Sequence, residues 1–497
     1  MSDRTLNNIY SVLYSDIRYL IKDITYDMDE KAKTKKKTLL SLCSLLMFRS
    51  ITAKSVSPIY RQVFFGNDDG KTDRDVELKV NAIYKKMSLI GLVKISKYEK
   101  NERKNRYSIT AAGKNLFVEL GNELYPEAET HTGGFGTGYI GLEKEDIVKL
   151  RHSQVSKQEN SHTDLEIRLI SDLLARMTIP VSTVNREAGY SPSGKPLVSL
   201  SKESSRFCAD VLCGINRTSA IIEADRMTES QPQLIDKTYD FLNFLSQDKE
   251  ITGQPGLLLY AIGELKNVRL SEEKVAGRRM TLHYKKILAD KRRLEDFIME
   301  GHSVAFSSQK EVPDILSMLK PLQICPDRVR SILECYDLAP LSGPGHPLPV
   351  VIGGATFNNA VKCQGQTVII ECPGRDIGAA MRIRRYLESG SKKDTLLIAI
   401  VQDDVTICDG TRASSLLSGI KCLSERTYPA ALWHYLSGDE RISLKAKGNA
   451  MVFIRESEFL SADRKTPFLF IFDGESKRYA EASKDPDAPA VAGPSAL

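Results

Sequence analysis

The 497-residue sequence predicts a multidomain chain of mixed class, α+β over its first quarter and α/β after it. Three observations carry this. Residues 35–124 combine helical apolar spacing with one β-hairpin pattern. Residues 125–160, rich in Gly, Thr, Glu and Lys, hold neither period and mark a boundary. Beyond them, short all-apolar strands recur between helical patterns, as buried strands do in α/β layers. The length suits two to four domains. The expected division is 1–124, a linker 125–160, a core 161–325, a second α/β region 326–480, and a Pro- and Ala-rich tail 481–497 that reads as disordered.

In the first quarter, "KKKTLLSLCSLLMFRS" reads as a helix with an apolar stripe and "SVSPIYRQVF" as a second, short helix. "DVELKVNAIYKKMSLIGLV" gives a third, with Val80, Ile83, Met87 and Ile90 expected on one face. "KISKYEKNERKNRYSIT" alternates on both sides of the polar turn "KNERKN", which predicts a hairpin, and "AAGKNLFVEL" restarts a helix.

Charge is uneven along the chain. Residues 1–124 hold 23 Lys and Arg against 15 Asp and Glu, a surplus of +8; the whole chain carries +6, so the remainder is near −2. A basic first quarter points to a polyanionic partner. Apolar content of 41% and charged content of 27% are ordinary for a soluble globular protein. Nine cysteines form no C-x-x-C pair and sit mostly in apolar runs, as reduced buried thiols do. Apolar runs such as "LLIAIV" are too short to span a bilayer, and the first residues lack the regions of a signal peptide. A cytoplasmic location without membrane contact is the expectation.

Three helices, a hairpin and a helix are the order of a winged helix-turn-helix, and "RYSITAAGKNLF" resembles the wing exit of that family. The resemblance covers about residues 35–120. It implies a recognition helix near 76–89, with Lys79, Lys85 and Lys86 reaching phosphates, and a basic wing carrying Lys97, Lys100, Arg103, Lys104 and Arg106. Such contacts position a protein on DNA without specifying sequence. The competing reading is a winged helix used for dimerisation or partner binding, with a solvated basic face.

Two motifs are set aside. Gly136-x-Gly138-x-x-Gly141 matches a dinucleotide fingerprint but follows a polar loop instead of a strand. "GYSPSGKP" is close to a P-loop, but Pro196 stands where a magnesium-binding hydroxyl belongs.

"SHTDLEIRLISDLLARM" predicts a helix with Leu165, Leu169, Leu173 and Leu174 on its apolar face. Strands are expected near "IPVSTV", "PLVSLS", "FCADVLCGI" and "SAIIEADR", then a helix at "SQPQLIDKTYDFLNFLSQ" and a strand at "GLLLYAIGE". The apolar "SAII" stops abruptly in Glu-Ala-Asp. With Asp210 near the end of one strand and Glu223 and Asp225 near the end of the next, a hairpin would bring Asp210 and Glu223 together. Hard divalent ions prefer such carboxylate sets. A bound ion would polarise a phosphodiester, and Lys237 on the following helix would offset developing negative charge. The bland alternative is that these acids end a strand and cap a helix.

These residues resemble the PD-(D/E)xK nuclease superfamily over about residues 160–310. Ala209 replaces the proline before the first acid. Asp225 stands where the lysine is usual, so Lys237 would take over that role. The longer strings "E-x-D-R-x-T-E-S" and "D-K-x-Y" resemble the plasmid replication-relaxation family and MobC-type relaxases, which couple a winged helix to a nuclease-like core. By that resemblance Asp210, Glu223 and Asp225 hold Mg²⁺ or Mn²⁺ and carry the chemistry, supported by Lys237, while His162 receives no role. The seven histidines contain no His-x-His pair, which leaves carboxylate chemistry as the relaxase option. Hydrolysis by water and attack by a tyrosine, with Tyr239 nearest in sequence, both stay open.

"TSAIIEAD" and "QTVIIECP" place two "IIE" triplets 148 positions apart. At that offset Asp210 maps to Asn358, Glu223 to Glu371, Asp225 to Pro373 and Lys237 to Arg385. The region is read either as a degenerate second copy of the nuclease core or as an unrelated α/β domain. The helix "MRIRRYLE", with Arg382, Arg384 and Arg385, would suit a phosphate backbone or be a solvated basic face.

The function expected is a metal-dependent endonuclease or relaxase that nicks one DNA strand at an origin of transfer, with room for an accessory mobilisation protein. The alternatives are a catalytically inactive nuclease-fold regulator that binds DNA, and a defence or restriction endonuclease.

Overall fold

A computed structural model describes residues 3–66, 70–97, 105–125, 160–176, 211–215, 218–226, 229–247, 256–263, 270–289, 300–334, 338–341, 348–388, 395–401, 450–461, 470–473 and 478–481. Residues 126–159 with Gly136, Gly138 and Gly141, the segments "IPVSTV" and "PLVSLS" expected as strands, "GYSPSGKP", Asp210, Lys100, Arg103, Lys104 and residues 482–497 lie outside them. The chain is a mixed α/β protein that divides into two compact units, residues 1–226 and 227–497.

The first unit opens with α1 (Asp3–Tyr26), which the sequence reading did not single out, and α2 (Glu30–Phe48). After the short β1 (Ile51–Thr52) come α3 (Ala53–Phe65) and α4 (Asp73–Leu89). Polar caps explain where these helices start. The Asp29 carboxylate accepts from Lys31 N–H at 2.9 Å, and Thr52–Ser55 and Thr72–Asp75 form capping boxes at α3 and α4. Strands β2 (Val93–Ser96) and β3 (Arg106–Ile109) pair antiparallel, β1 adds to β3, and the sheet order is β1-β3-β2. Helix α5 (Ala111–Leu124), capped by Thr110, packs on α2.

Helix α4 buries Val76, Val80, Tyr84 and Met87. The expected face was therefore off by part of a turn. Ile83 is only half-buried, and Ile90 is 70% exposed because the helix ends at Leu89 and Gly91 turns the chain at φ +78°. Beneath α4 the Tyr60 hydroxyl stands 2.8 Å from that of Tyr84 and donates to Ser41 Oγ at 2.9 Å. This buried network ties α2, α3 and α4 together.

Helix α6 (Asn160–Arg176) was expected to open the second region, but it packs against α3 and α1. Leu165, Leu169, Leu173 and Leu174 are buried as expected. Glu166, Arg168 and Asp172 are buried as well, so the helix is enclosed on most sides. The unit closes with an antiparallel hairpin, β4 (Val211–Ile215) and β5 (Thr218–Asp225), in which Val211 faces Ile222.

In the second unit, α7 (Gln231–Gln247) precedes the fully buried parallel pair β6 (Leu257–Ile262) and β7 (Ser303–Ser308). Between those strands lies α8 (Glu272–Ala289), which packs on both. Its His283 Nε2 is 2.8 Å from Thr238 Oγ1, and burial holds that imidazole down to about 3, hence neutral. Helices α9 (Val312–Leu319), α10 (Pro321–Ile324) and α11 (Pro326–Glu334) lead to a seven-stranded sheet. Its strands β8 (Leu348–Ile352), β9 (Ala355–Cys363) and β10 (Gln366–Glu371) form an antiparallel meander. Helix α12 (Ile377–Glu388) crosses over to β11 (Thr395–Val401), which runs parallel to β10. Parallel β12 (Ala450–Arg455), the short α13 (Glu456–Leu460), and antiparallel β13 (Phe470–Asp473) and β14 (Arg478–Glu481) complete it.

Candidate nucleic-acid interface and carboxylate site

Opposite the buried face of α4, Arg74, Leu78, Asn81 and Lys85 follow one another at spacings of four, three and four, which aligns them along one exposed stripe. They line a groove of about 600 Å³ together with Thr52, Ala53 and Lys54 at the start of α3, and Asn105 just before β3. The first turn of α3 thus adds the positive end of a helix dipole to three cationic side chains. Glu77 is the one acid in the lining and lies 3.2 Å from the Arg74 guanidinium. Tyr107 OH donates to Asn81 Oδ1 at 2.9 Å, so the amide is oriented with its NH₂ as a donor. A concave, cationic surface with one oriented amide and the exposed Leu78 can take an anionic polymer and probe its edges.

The expected cations divide by environment. Lys85 lines the groove and Lys86 is exposed beside it. Lys79 is exposed, but its ammonium sits 4.1 Å from the centre of the Phe65 ring, on another side of α4. Lys97 is exposed just after β2. Arg106 is not a wing cation. It is 2% exposed, and its two terminal nitrogens donate to Asp164 of α6 at 3.0 and 2.8 Å. An inward-facing position on β3 decides this, because a buried guanidinium requires a carboxylate. Lys54, Arg74, Asn81 and Asn105 were missed. The spacing of 74, 78, 81 and 85 against buried 76, 80, 84 and 87 was the signal for those on α4.

Glu223 and Asp225 are both buried in β5, two residues apart and so on one side of the strand. Asp210 lies outside the described residues, next in sequence to Val211, the first residue of β4. Lys237 belongs to α7 in the second unit, where its ammonium pairs with Glu229 at 2.7 Å. Among the described residues no group of three or more His, Cys, Asp or Glu side chains could hold a metal ion. Two buried carboxylates are donors of the kind Mg²⁺ or Mn²⁺ takes, and they fit the ion in chemistry.

The basic helix α12 is not an exposed phosphate-binding face at Arg382. That side chain is 2% exposed and is enclosed by Glu371, Asp376 and the His302 carbonyl. Arg385 is half-buried, and the side chain of Arg384 is outside the described residues. Comparison of the chain with family models, curated proteins and solved structures gives no match. No helix among the described residues is long and apolar enough to cross a membrane.

Proposed function

We propose that this protein binds duplex DNA through its first unit, with α4 as the reading helix and the β2–β3 hairpin as a wing. The observation that carries the reading is the groove joining Arg74, Asn81 and Lys85 of α4 to the start of α3. The order α2-β1-α3-α4-β2-β3 with sheet order β1-β3-β2 supports a winged helix. In this reading Lys54, Lys85 and the α3 dipole hold phosphates, while Arg74 and Asn81 reach base edges. The test is fluorescence anisotropy with labelled duplex at several salt concentrations. Arg74→Ala, Lys85→Ala and Lys54→Ala should each weaken binding while leaving the melting temperature in place. Unchanged affinity in all three sinks the reading.

A finer proposal rests on Glu223 and Asp225. Buried side by side in a hairpin whose register pairs Val211 with Ile222, they would hold Mg²⁺ or Mn²⁺ together with Asp210. The ion, when bound, supplies Lewis-acid activation of a phosphodiester. The chain would then be a nicking endonuclease of the relaxase kind acting at an origin of transfer. Supercoiled plasmid carrying the element's own origin should become open circle with metal, and a Glu223→Gln/Asp225→Asn variant should not do this. DNA binding without nicks in either metal would leave the catalytically inactive regulator as the function.

A further inference from the structure

We infer that the β9–β10 hairpin with α12 is a second copy of the β4–β5 carboxylate element, in which the Arg382 guanidinium holds the place of a divalent cation. The inference deepens the metal reading of Glu223 and rests on it. Its first support is register. In β4–β5, Ile215 faces Thr218 and Leu212 faces Ile221. Moving each residue by 148 positions gives Cys363 facing Gln366 and Ala360 facing Ile369, which are the pairs of β9–β10. The pairs between them coincide too, and Glu223 and Glu371 are each the sixth residue of their strand. A one-residue slip would turn the glutamate to the other side. In both cases a helix follows, and then come two strands paired parallel, β6–β7 and β11–β12.

The second support is the shell around Arg382. Its Nη2 lies 2.8 Å from Glu371 Oε2 and 3.0 Å from Asp376 Oδ2, its Nε is 3.3 Å from Glu371 Oε1, and its Nη1 donates to the His302 carbonyl at 2.8 Å. Two carboxylates and a carbonyl are an oxygen set that a hard divalent ion would accept. Asp376 is in turn fixed by Ser303 Oγ at 2.7 Å and the Val304 N–H at 3.0 Å. A Cβ at Gly378 would collide with the His302 carbonyl and stand 2.9 Å from Arg382 Nη1, so glycine there admits the guanidinium. At the position matching Asp210, Asn358 instead donates its amide to the Gly301 carbonyl at 2.8 Å. Lys320, also buried, adds a second cation acting on Glu371 and Asp376. The second copy is complete in charge without an ion. Among the described residues the Glu223–Asp225 pair is then left as the place for an ion, which would suit cutting one strand and not two.

The test uses the full chain with Glu223→Gln and Asp225→Asn, so that the first site cannot contribute. Mn²⁺ binding is read by electron paramagnetic resonance and by thermal melting. In this background no Mn²⁺ should bind. Adding Arg382→Ala, or Arg382→Ala with Lys320→Met to remove both cations, should create one Mn²⁺ site per chain, and a further Glu371→Gln should abolish it. If the arginine variants misfold, refolding in Mn²⁺ but not in EDTA should recover soluble protein. No Mn²⁺ uptake by either variant, folded or refolded, overturns the inference. Wild-type nicking tests the first site separately, so the two readings fail by different results.

Discussion

Helices α4 and α12 look alike in sequence, each amphipathic and each carrying cations beside its apolar residues, yet their cations reach opposite ends. On α4, Arg74 and Lys85 face a groove open to solvent. On α12, Arg382 is sealed against Glu371 and Asp376. The difference comes from what lies beneath each helix. The helix α4 rests on Val76, Val80, Tyr84 and Met87, an apolar seam that leaves the other side to water. The helix α12 crosses strands ending in a buried glutamate, and an ionised carboxylate there requires a cation. A basic residue is thus left facing solvent or drawn in as a structural counter-ion according to its neighbours.

The sharpest way to break this comparison is Arg382→Ala. It leaves Glu371 and Asp376 buried without their guanidinium, so unfolding free energy should fall by about 3–5 kcal/mol, seen in chemical denaturation. A shift below about 1 kcal/mol would mean that the network is not structural.

Arg106→Ala should destabilise by about 3 kcal/mol, since its carboxylate partner Asp164 is 13% exposed. Folded Arg106→Ala should keep its affinity for DNA at saturating stability, because the side chain faces α6 and not the groove.

The pH dependence sharpens the same point. Burial holds the Lys320 ammonium down from 10.5 to about 8. The unfolded chain therefore binds more protons than the folded one between those values, and stability contributed by this group rises with pH across that window. The total is about 3 kcal/mol, and Lys320→Met should remove that slope from a pH series of denaturation curves.

On the exposed side, Lys85→Ala should weaken DNA binding about tenfold, near 1.4 kcal/mol, and reduce the salt slope by about one, with no change in melting temperature. The smallest effect is expected from Thr72→Ala. It removes the cap whose Oγ1 accepts from Asp75 N–H at 3.3 Å and should destabilise by about 1 kcal/mol.

Much of the scaffold was legible because it rests on local periodicity. The α4 helix, the β2–β3 hairpin, the leucine face of α6 and the buried β6 all follow from spacing within a few residues. The two "IIE" triplets were each legible as part of a buried strand for the same reason. Capping boxes at Thr52 and Thr72 could also be found by eye, since both partners lie three residues apart. Of the candidate site, the α4 cations were partly visible, and Arg74 and Asn81 would have been found by continuing the stripe from Lys85.

What the sequence by itself determined is therefore the class of many segments, the basic surplus of the first quarter and the recurrence of an "IIE" triplet 148 positions apart. Only the tertiary structure decided that α6 packs with the first helices, that Arg106 meets Asp164 across 58 positions, and that Arg382 closes on Glu371. Periodicity is a property of neighbours along the chain, whereas the fate of a charge depends on which distant carboxylate or solvent shares its surroundings, and burial makes that choice worth several kcal/mol.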